Sequence, residues 1–321
     1  MTVHTFSAFL ILLSLVVPLN AVEARVDATS TSLLVEPVDA SRQRVVPLKF
    51  YLPALDKPVP VVLFSHGLGG SRNNNAYLGT SWAEAGYAAV FMQHLGSDES
   101  VWKDAPPLRR MSELKKAASR QAALDRVQDV TFVIDQLEQW NATQGHALQG
   151  KLDLSKIGMS GHSFGAVTTQ GVMSQKRSGV SRAELRIKAF LLMSPSTPRF
   201  GTSQSRYGDI HLPVLCMTGT EDGSPIEKDF DPLTRQEVYA ALPVGDKYQL
   251  VFEGGHHFVF GDRDLLGREQ RDSRHHPAIQ KISIAFWDAY LKGEKKAKTW
   301  LQSEALKTEL RLDPKDRWEW K

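Results

Sequence analysis

Disulfide bonds within the chain are excluded, because Cys216 is the one cysteine among its 321 residues. A strong charge of either sign is also lacking, since the formal net charge is +3 and the basic residues are scattered without interleaved aromatics. We therefore expect no nucleic-acid partner. The histidine pairs His256-His257 and His275-His276 lack the spacing of a zinc site, so we expect neither a metal nor another cofactor.

Long apolar runs are confined to the N-terminus. Residues 9–19 have the length and composition of a secretory signal, and small residues follow at the cleavage-type positions Val22 and Ala24. We predict a signal peptide over residues 1–24, one domain over 25–321, no membrane span after cleavage, and a secreted or periplasmic protein. Residues 1–5 contain no lysine or arginine, so an uncleaved anchor stays open as an alternative.

A serine lies between two glycines in Gly161-His162-Ser163-Phe164-Gly165, where a strand-like run ends and a helix-like run begins. This pattern is typical of a nucleophile elbow, a turn whose strained central residue exposes its hydroxyl. Glycines two positions away on each side let the neighbouring strand and helix pass without a Cβ clash. Ser160 occupies a competing frame but lacks the second glycine, so Ser163 is the predicted nucleophile.

A serine nucleophile needs a histidine base and a carboxylate that orients it. Asp222 follows the apolar run Leu212–Gly219, and His256 follows the run Lys247–Phe252. Each candidate therefore comes after its own predicted strand, in the chain order serine, aspartate, histidine. We predict Ser163, Asp222 and His256 as the catalytic residues, with the adjacent Glu221 and His257 as the alternatives.

A second glycine-rich turn, His66-Gly67-Leu68-Gly69-Gly70, follows the strand-like run from Pro58 to Ser65. Such a turn can aim backbone N–H groups at a negatively charged oxygen. We predict that the oxyanion donors are the N–H groups of Leu68 and of Phe164, the residue after the nucleophile.

The whole pattern of elements indicates an α/β fold. Eight strand-like runs alternate with helical ones, and the longest helical pattern, residues 119–140, precedes the nucleophile strand. We predict a single, mostly parallel eight-stranded sheet flanked by helices. Only residues 194–211 separate the sixth and seventh strands, so no large cap domain is expected and the pocket should be open.

These motifs resemble the α/β-hydrolase superfamily, and within it the esterases of the dienelactone hydrolase-like and platelet-activating factor acetylhydrolase-like groups. The resemblance implies a carboxylic ester hydrolase that works through an acyl-enzyme intermediate. An amidase or peptidase with the same residues, or a non-catalytic binding protein on this fold, stays open. The expected partner is a small-molecule or polymeric ester, and the sequence does not name it.

One residue is a candidate for the wall of the acyl pocket. Trp102 follows the fourth predicted strand, next to a polar, basic insertion at residues 103–118. A tryptophan that packs its own loop would explain the same position equally well.

Overall fold

The computed structural model describes residues 23–27, 30–54, 56–173, 183–262 and 273–321. The predicted signal peptide thus lies, apart from Glu23 and Ala24, outside the described residues. The strands of the described part are β1 (Glu23–Asp27), β2 (Ser30–Val35), β3 (Val38–Asp39), β4 (Arg44–Val45), β5 (Leu48–Leu52), β6 (Val59–Ser65), β7 (Ala88–Met92), β8 (Leu152–His162), β9 (Ile187–Met193), β10 (Val214–Glu221), β11 (Lys247–His256) and β12 (Arg317–Trp320).

The α-helices of the same part are α1 (Ala76–Glu84), α2 (Ser100–Lys103), α3 (Pro107–Ala117), α4 (Arg120–Ala142), α5 (Phe164–Met173), α6 (Ser203–Tyr207), α7 (Glu237–Ala241), α8 (His276–Trp287), α9 (Lys295–Leu301) and α10 (Ala305–Glu309). Two 3₁₀ turns, Pro232–Gln236 and His257–Phe260, lie near the site described below.

One large sheet organises the chain, with the strand order β1-β2-β5-β7-β6-β8-β9-β10-β11-β12. The six strands from β7 to β11 in that order are parallel, whereas the strands at both edges are antiparallel. This arrangement confirms the α/β-hydrolase fold. The sheet has ten strands where the sequence predicted eight, because β1 and the four-residue β12 add one strand at each edge.

Helices cover both faces of the sheet. On one face, the apolar side of α4 packs with α5 through residues that include Val130, Val133 and Ile134. On the other face, Trp82 of α1 meets Trp287 of α8 edge to face, with ring centroids 6.0 Å apart. Since both faces are covered, the parallel strands β6 and β7 are buried at every residue.

The long helix α4 begins where the sequence predicts. Its N-cap, Ser119, accepts a hydrogen bond from the N–H of Ala122 at 3.1 Å, which satisfies one of the free donors of the first turn. The predicted lack of a large cap also agrees with the structure, since the described residues between β9 and β10 contain only the short helix α6.

Candidate active site

The predicted nucleophile Ser163 lies in a turn between β8 and α5. Its φ is 58°, in the left-handed region that a residue with a Cβ adopts at a cost of about 1–3 kcal/mol. The surrounding backbone holds it there: the N–H of Ser163 donates to the carbonyl of Met193 at 2.9 Å, and its own carbonyl accepts from Val167 at 3.1 Å. The strained elbow predicted from the sequence is therefore present.

Two glycines make this turn sterically possible. A Cβ at Gly161 would collide with the carbonyl oxygen of Gly165, and a Cβ at Gly165 would collide with the carbonyl oxygen of Ser65. Both positions are thus closed to any side chain. Because Gly165 has no side chain, the start of α5 lies directly against the end of β6. The two segments predicted to carry the oxyanion donors therefore lie next to each other.

The structure places a different histidine beside Ser163 from the one predicted as the base. The imidazole beside the nucleophile belongs to His257, not His256: Nε2 of His257 lies 2.8 Å from Oγ of Ser163, and its Nδ1 lies 2.7 Å from Oδ1 of Asp222. The carboxylate can only accept, so Nδ1 of His257 carries the proton and Nε2 accepts from the serine hydroxyl.

The physical reason for the one-residue error is the length of β11. The strand continues through His256, which pairs with Glu221 in the sheet, and the side chain of His256 accepts a hydrogen bond from the N–H of Phe258 at 3.3 Å. His257 is the first residue of the following 3₁₀ turn and is buried. A strand that ends at Phe252, as predicted from the sequence, leaves both histidines past it, so its end does not distinguish them, and the pattern Gly-His-x-Phe favoured His256.

Asp222 lies where the sequence predicted, just past β10, and its side chain is fully buried. Its second oxygen, Oδ2, accepts a hydrogen bond from Thr218 Oγ1 at 2.8 Å. The competing carboxylate of Glu221 is exposed. The structure therefore brings Ser163 and Asp222 to one histidine, whereas Glu221 lies outside this chain of hydrogen bonds.

A guanidinium that the sequence analysis missed holds the loop around Asp222. Arg235 of the 3₁₀ turn Pro232–Gln236 donates from Nε to the backbone carbonyl of Asp222 at 2.6 Å, and from Nη1 to the carbonyls of Ser194 and Pro195 at 3.0 and 3.1 Å. No local sequence signal marks it, because each partner lies elsewhere in the chain.

The same surroundings set the protonation of the two titratable partners. Burial lowers the pKa of His257, and the nearby charge of Arg235 acts in the same direction, while Asp222 opposes both. Burial acts to raise the pKa of Asp222, but the hydrogen bond from His257 and the charge of Arg235 outweigh it, so this pKa lies below its usual value. At neutral pH the site therefore holds a carboxylate and a neutral imidazole.

The elbow also contacts the backbone of His257, through His162. Its Nε2 donates to the carbonyl of His257 at 2.9 Å, and the two rings lie 4.8 Å apart. Burial and the neighbouring His257 lower the pKa of His162 to about 3, so this ring stays neutral. It acts as a tie between two loops.

The glycine-rich turn after β6 lies against the elbow. A Cβ built on Gly67 would be 3.5 Å from the Cβ of Ser163, so the backbone leading to Leu68 passes close to the nucleophile. Phe164 is the first residue of α5, and its N–H therefore has no acceptor within the helix. Both predicted donor residues, Leu68 and Phe164, line the cavity that contains Ser163.

That cavity has a volume of about 1230 Å³. Trp102 lines it and is 9% exposed, while its indole Nε1 donates to the carbonyl of Gly69 at 2.8 Å and its ring packs against Leu68 and Leu114. The residue thus lies at the wall and also ties α2 to the glycine-rich turn.

In the part of the chain that the structure describes, no cluster of three metal-ligating side chains occurs. The helices of that part are all too short or too polar to cross a bilayer.

Comparisons with known proteins found two similarities, both to the same group of proteins. A family model described as platelet-activating factor acetylhydrolase, isoform II, matches residues 38–105, a segment that runs from β3 past the glycine-rich turn to the loop after α2. The platelet-activating factor acetylhydrolase of Cavia porcellus is 24% identical over an aligned length of 297 residues, and the alignment covers 79% of this chain. The chain spans about 63% of the length of that relative. Together, the fold and both comparisons confirm the resemblance of this chain to the platelet-activating factor acetylhydrolase-like serine esterases of the α/β-hydrolase superfamily.

Proposed function

We propose that this protein hydrolyses carboxylic esters through an acyl-enzyme formed on Ser163, with His257 as the base and Asp222 as the carboxylate that orients it. The observation that carries the proposal is the continuous line of hydrogen bonds from Ser163 Oγ through the ring of His257 to Asp222, at 2.8 and 2.7 Å. The resemblance to ester hydrolases supports the same reaction class.

In the first half of the reaction, Nε2 of His257 takes the hydroxyl proton of Ser163 while Oγ bonds to the ester carbonyl carbon. The carbonyl oxygen becomes an oxyanion, which the N–H groups of Leu68 and Phe164 stabilise. The bond to the alcohol oxygen then breaks, and the imidazolium returns its proton to that oxygen. In the second half, His257 takes a proton from a water molecule while the water oxygen bonds to the acyl carbon. The bond from that carbon to Ser163 Oγ then breaks, the imidazolium returns the proton to Oγ, and the acid is released.

The cavity supports an ester larger than an acetyl group. Its volume of about 1230 Å³ exceeds the roughly 300–1,000 Å³ typical of small-molecule pockets. Apolar side chains such as Val167 and Phe258 share its wall with the polar Gln170 and Tyr207. An extended or polymeric ester with an apolar acyl part fits these walls.

The test is hydrolysis of p-nitrophenyl esters from acetyl to palmitoyl by the purified protein and by Ser163→Ala, with a fluorophosphonate probe applied to both. We expect hydrolysis and labelling by the wild type alone, with the rate in the variant lower by about 10⁴-fold or more. A folded wild type that cleaves none of these esters would contradict the proposal. Labelling without ester cleavage would direct the search to amides.

A further inference from the structure

Arg126 of α4 is a fully buried arginine that lies outside the line of hydrogen bonds between Ser163 and Asp222. Its Nη1 donates to the carbonyl of His66 at 2.7 Å, and its Nε donates to Oγ of Ser97 at 2.8 Å. The guanidinium carbon also lies 4.4 Å from the centre of the Phe164 ring. One side chain therefore contacts both segments that carry the proposed oxyanion donors.

On the first segment, hydrogen bonds fix the direction of the Leu68 N–H. The backbone N–H of His94 donates to Nε2 of His66 at 3.1 Å, so the ring proton of His66 is on Nδ1, which donates to the carbonyl of Gly67 at 2.6 Å. In a trans peptide the N–H points opposite to the C=O. Fixing the Gly67 carbonyl therefore aims the Leu68 N–H, and Arg126 anchors the preceding carbonyl, that of His66.

On the second segment, the contact is a cation against an aromatic face. Such contacts are strongest where water is excluded from them. The ring of Phe164 is attached to the same residue whose N–H is the second proposed donor, so its position limits the tilt of the first turn of α5.

The charge of Arg126 is maintained by its neighbours. Burial lowers its pKa to about 9, and Asp129 and Asp98 oppose that shift, so the guanidinium stays protonated at neutral pH. Asp129 is itself held by Arg42, Arg44 and His94. The fold thus retains a buried cation behind the glycine-rich turn.

We propose that Arg126 is a positioning residue that fixes the N–H groups of Leu68 and Phe164 relative to each other, and so stabilises the transition state without contributing to substrate binding. This inference rests on the proposed esterase function. Loss of the Arg126 side chain should lower kcat and leave KM nearly unchanged, because the oxyanion exists only in the transition state and the tetrahedral intermediates.

The test compares Arg126→Met and Arg126→Lys with the wild type, by kcat and KM on a short p-nitrophenyl ester and by inhibition with a trifluoromethyl ketone. That ketone forms a tetrahedral oxyanion adduct with an active serine. For Arg126→Met we expect kcat to fall by about 10- to 1,000-fold, KM to change less than threefold, and the inhibition constant to rise in proportion to the loss in kcat. Arg126→Lys keeps a donor for the His66 carbonyl and should therefore recover part of the lost kcat and part of the lost affinity for the ketone.

The matched control is Arg42→Gln, which removes another arginine from Asp129, and whose hydrogen bonds among the described residues go to Asp39, Asp125 and Asp129, not to the glycine-rich turn. Its kcat and ketone inhibition should stay close to wild type. Phe164→Leu keeps the backbone donor and loses the aromatic face, so it tests the same inference if Arg126→Met fails to fold, and it too should lose kcat and ketone affinity together.

A folded Arg126→Met with wild-type kcat and ketone affinity would overturn the inference, as would equal losses in Arg42→Gln. If Arg126→Met does not fold, a Phe164→Leu variant with unchanged kcat and ketone affinity would overturn it as well. These outcomes leave the wild type an active esterase. A wild type that neither hydrolyses esters nor binds the ketone would instead remove the proposed function, and the inference with it.

Discussion

Arg235 and His257 contact the same oxygen of Asp222. Nε of Arg235 lies 2.9 Å from Oδ1, and Nδ1 of His257 lies 2.7 Å from it. The fixed cation is also 3.3 Å from Nδ1 of His257, through its Nη2 atom. A carboxylate that orients an imidazole is therefore partly neutralised by a permanent positive charge.

The first prediction concerns the pH dependence of kcat/KM. Burial and Arg235 lower the pKa of His257, so the imidazole is deprotonated, and able to act as a base, at a pH where an ordinary histidine is still protonated. The acid limb of the profile should lie below the usual histidine value of about 6.5. The measurement is kcat/KM from pH 4 to 9.

Arg235→Gln should move that limb to higher pH, because the removal of a cation makes protonation of His257 easier. The groups that face His257 are Asp222, Arg235, His256, His162 and Ser163. Arg235→Lys keeps the charge, so its limb should stay near that of the wild type. An unchanged limb in Arg235→Gln would show that this charge does not tune the base.

The second prediction separates the two adjacent histidines. His257→Ala should lower kcat/KM by roughly 10⁴-fold or more, because it removes the base. His256→Ala is the matched control, and it should retain activity within about tenfold, because the hydrogen bond of the His256 side chain among the described residues is a local one, from the N–H of Phe258. If steady-state assays of the two folded variants gave the larger loss for His256→Ala, His256 would be the base, as the sequence predicted.

The third prediction concerns the close approach at the elbow. Gly165→Ala places a Cβ against the carbonyl oxygen of Ser65, a backbone atom that cannot rotate away. We expect a loss of more than about 3 kcal/mol in the free energy of unfolding, or no folding at all. Gly171→Ala, in the same helix, places a Cβ 2.6 Å from the side-chain atom Cγ2 of Val127, which can shift where a backbone carbonyl cannot, so the loss in this free energy should be clearly smaller. Urea denaturation measures both, and equal losses would contradict this explanation.

The fourth prediction concerns acid stability. Burial lowers the pKa of His66 well below its usual value, that of His94 to about 4 and that of His162 to about 3. Their stabilising contribution is full above the unfolded-state pKa of about 6.5 and is lost as the pH falls toward the folded-state values. The free energy of unfolding should therefore fall from pH 7 to pH 5, by up to about 1.4 kcal/mol per pH unit for each of these histidines below pH 6.5. A free energy that stays level over this range, measured by urea denaturation, would rule the explanation out.

Local sequence patterns predicted the features that local geometry determines. Glycines around Ser163 mark a turn that admits no Cβ at two positions, and the apolar spacing of α4 marks a helix. Asp222 was also placed correctly past its strand. By contrast, the choice between His256 and His257 depends on where β11 ends, and that point is set by pairing with β10.

The features that sequence analysis missed depend on distant contacts. Arg126 and Arg235 resemble ordinary surface arginines in the sequence, yet their acceptors include backbone carbonyls on other elements. The short strand β12 has only four residues, and its place at the edge follows from pairing with β11. No periodicity within these segments encodes such partners.

The hydrogen bond from His162 to the carbonyl of His257 joins the residue before the nucleophile to the backbone of the base. The backbone segments that carry Ser163 and His257 are therefore joined by a direct hydrogen bond, so we expect a displacement of one segment to shift the other. The outer walls, such as residues 118–120 and the loop around Phe200, have no such link to His257 among the hydrogen bonds of the described residues. Changes to those walls can reshape the cavity for a different ester while the alignment of Ser163 and His257 is preserved.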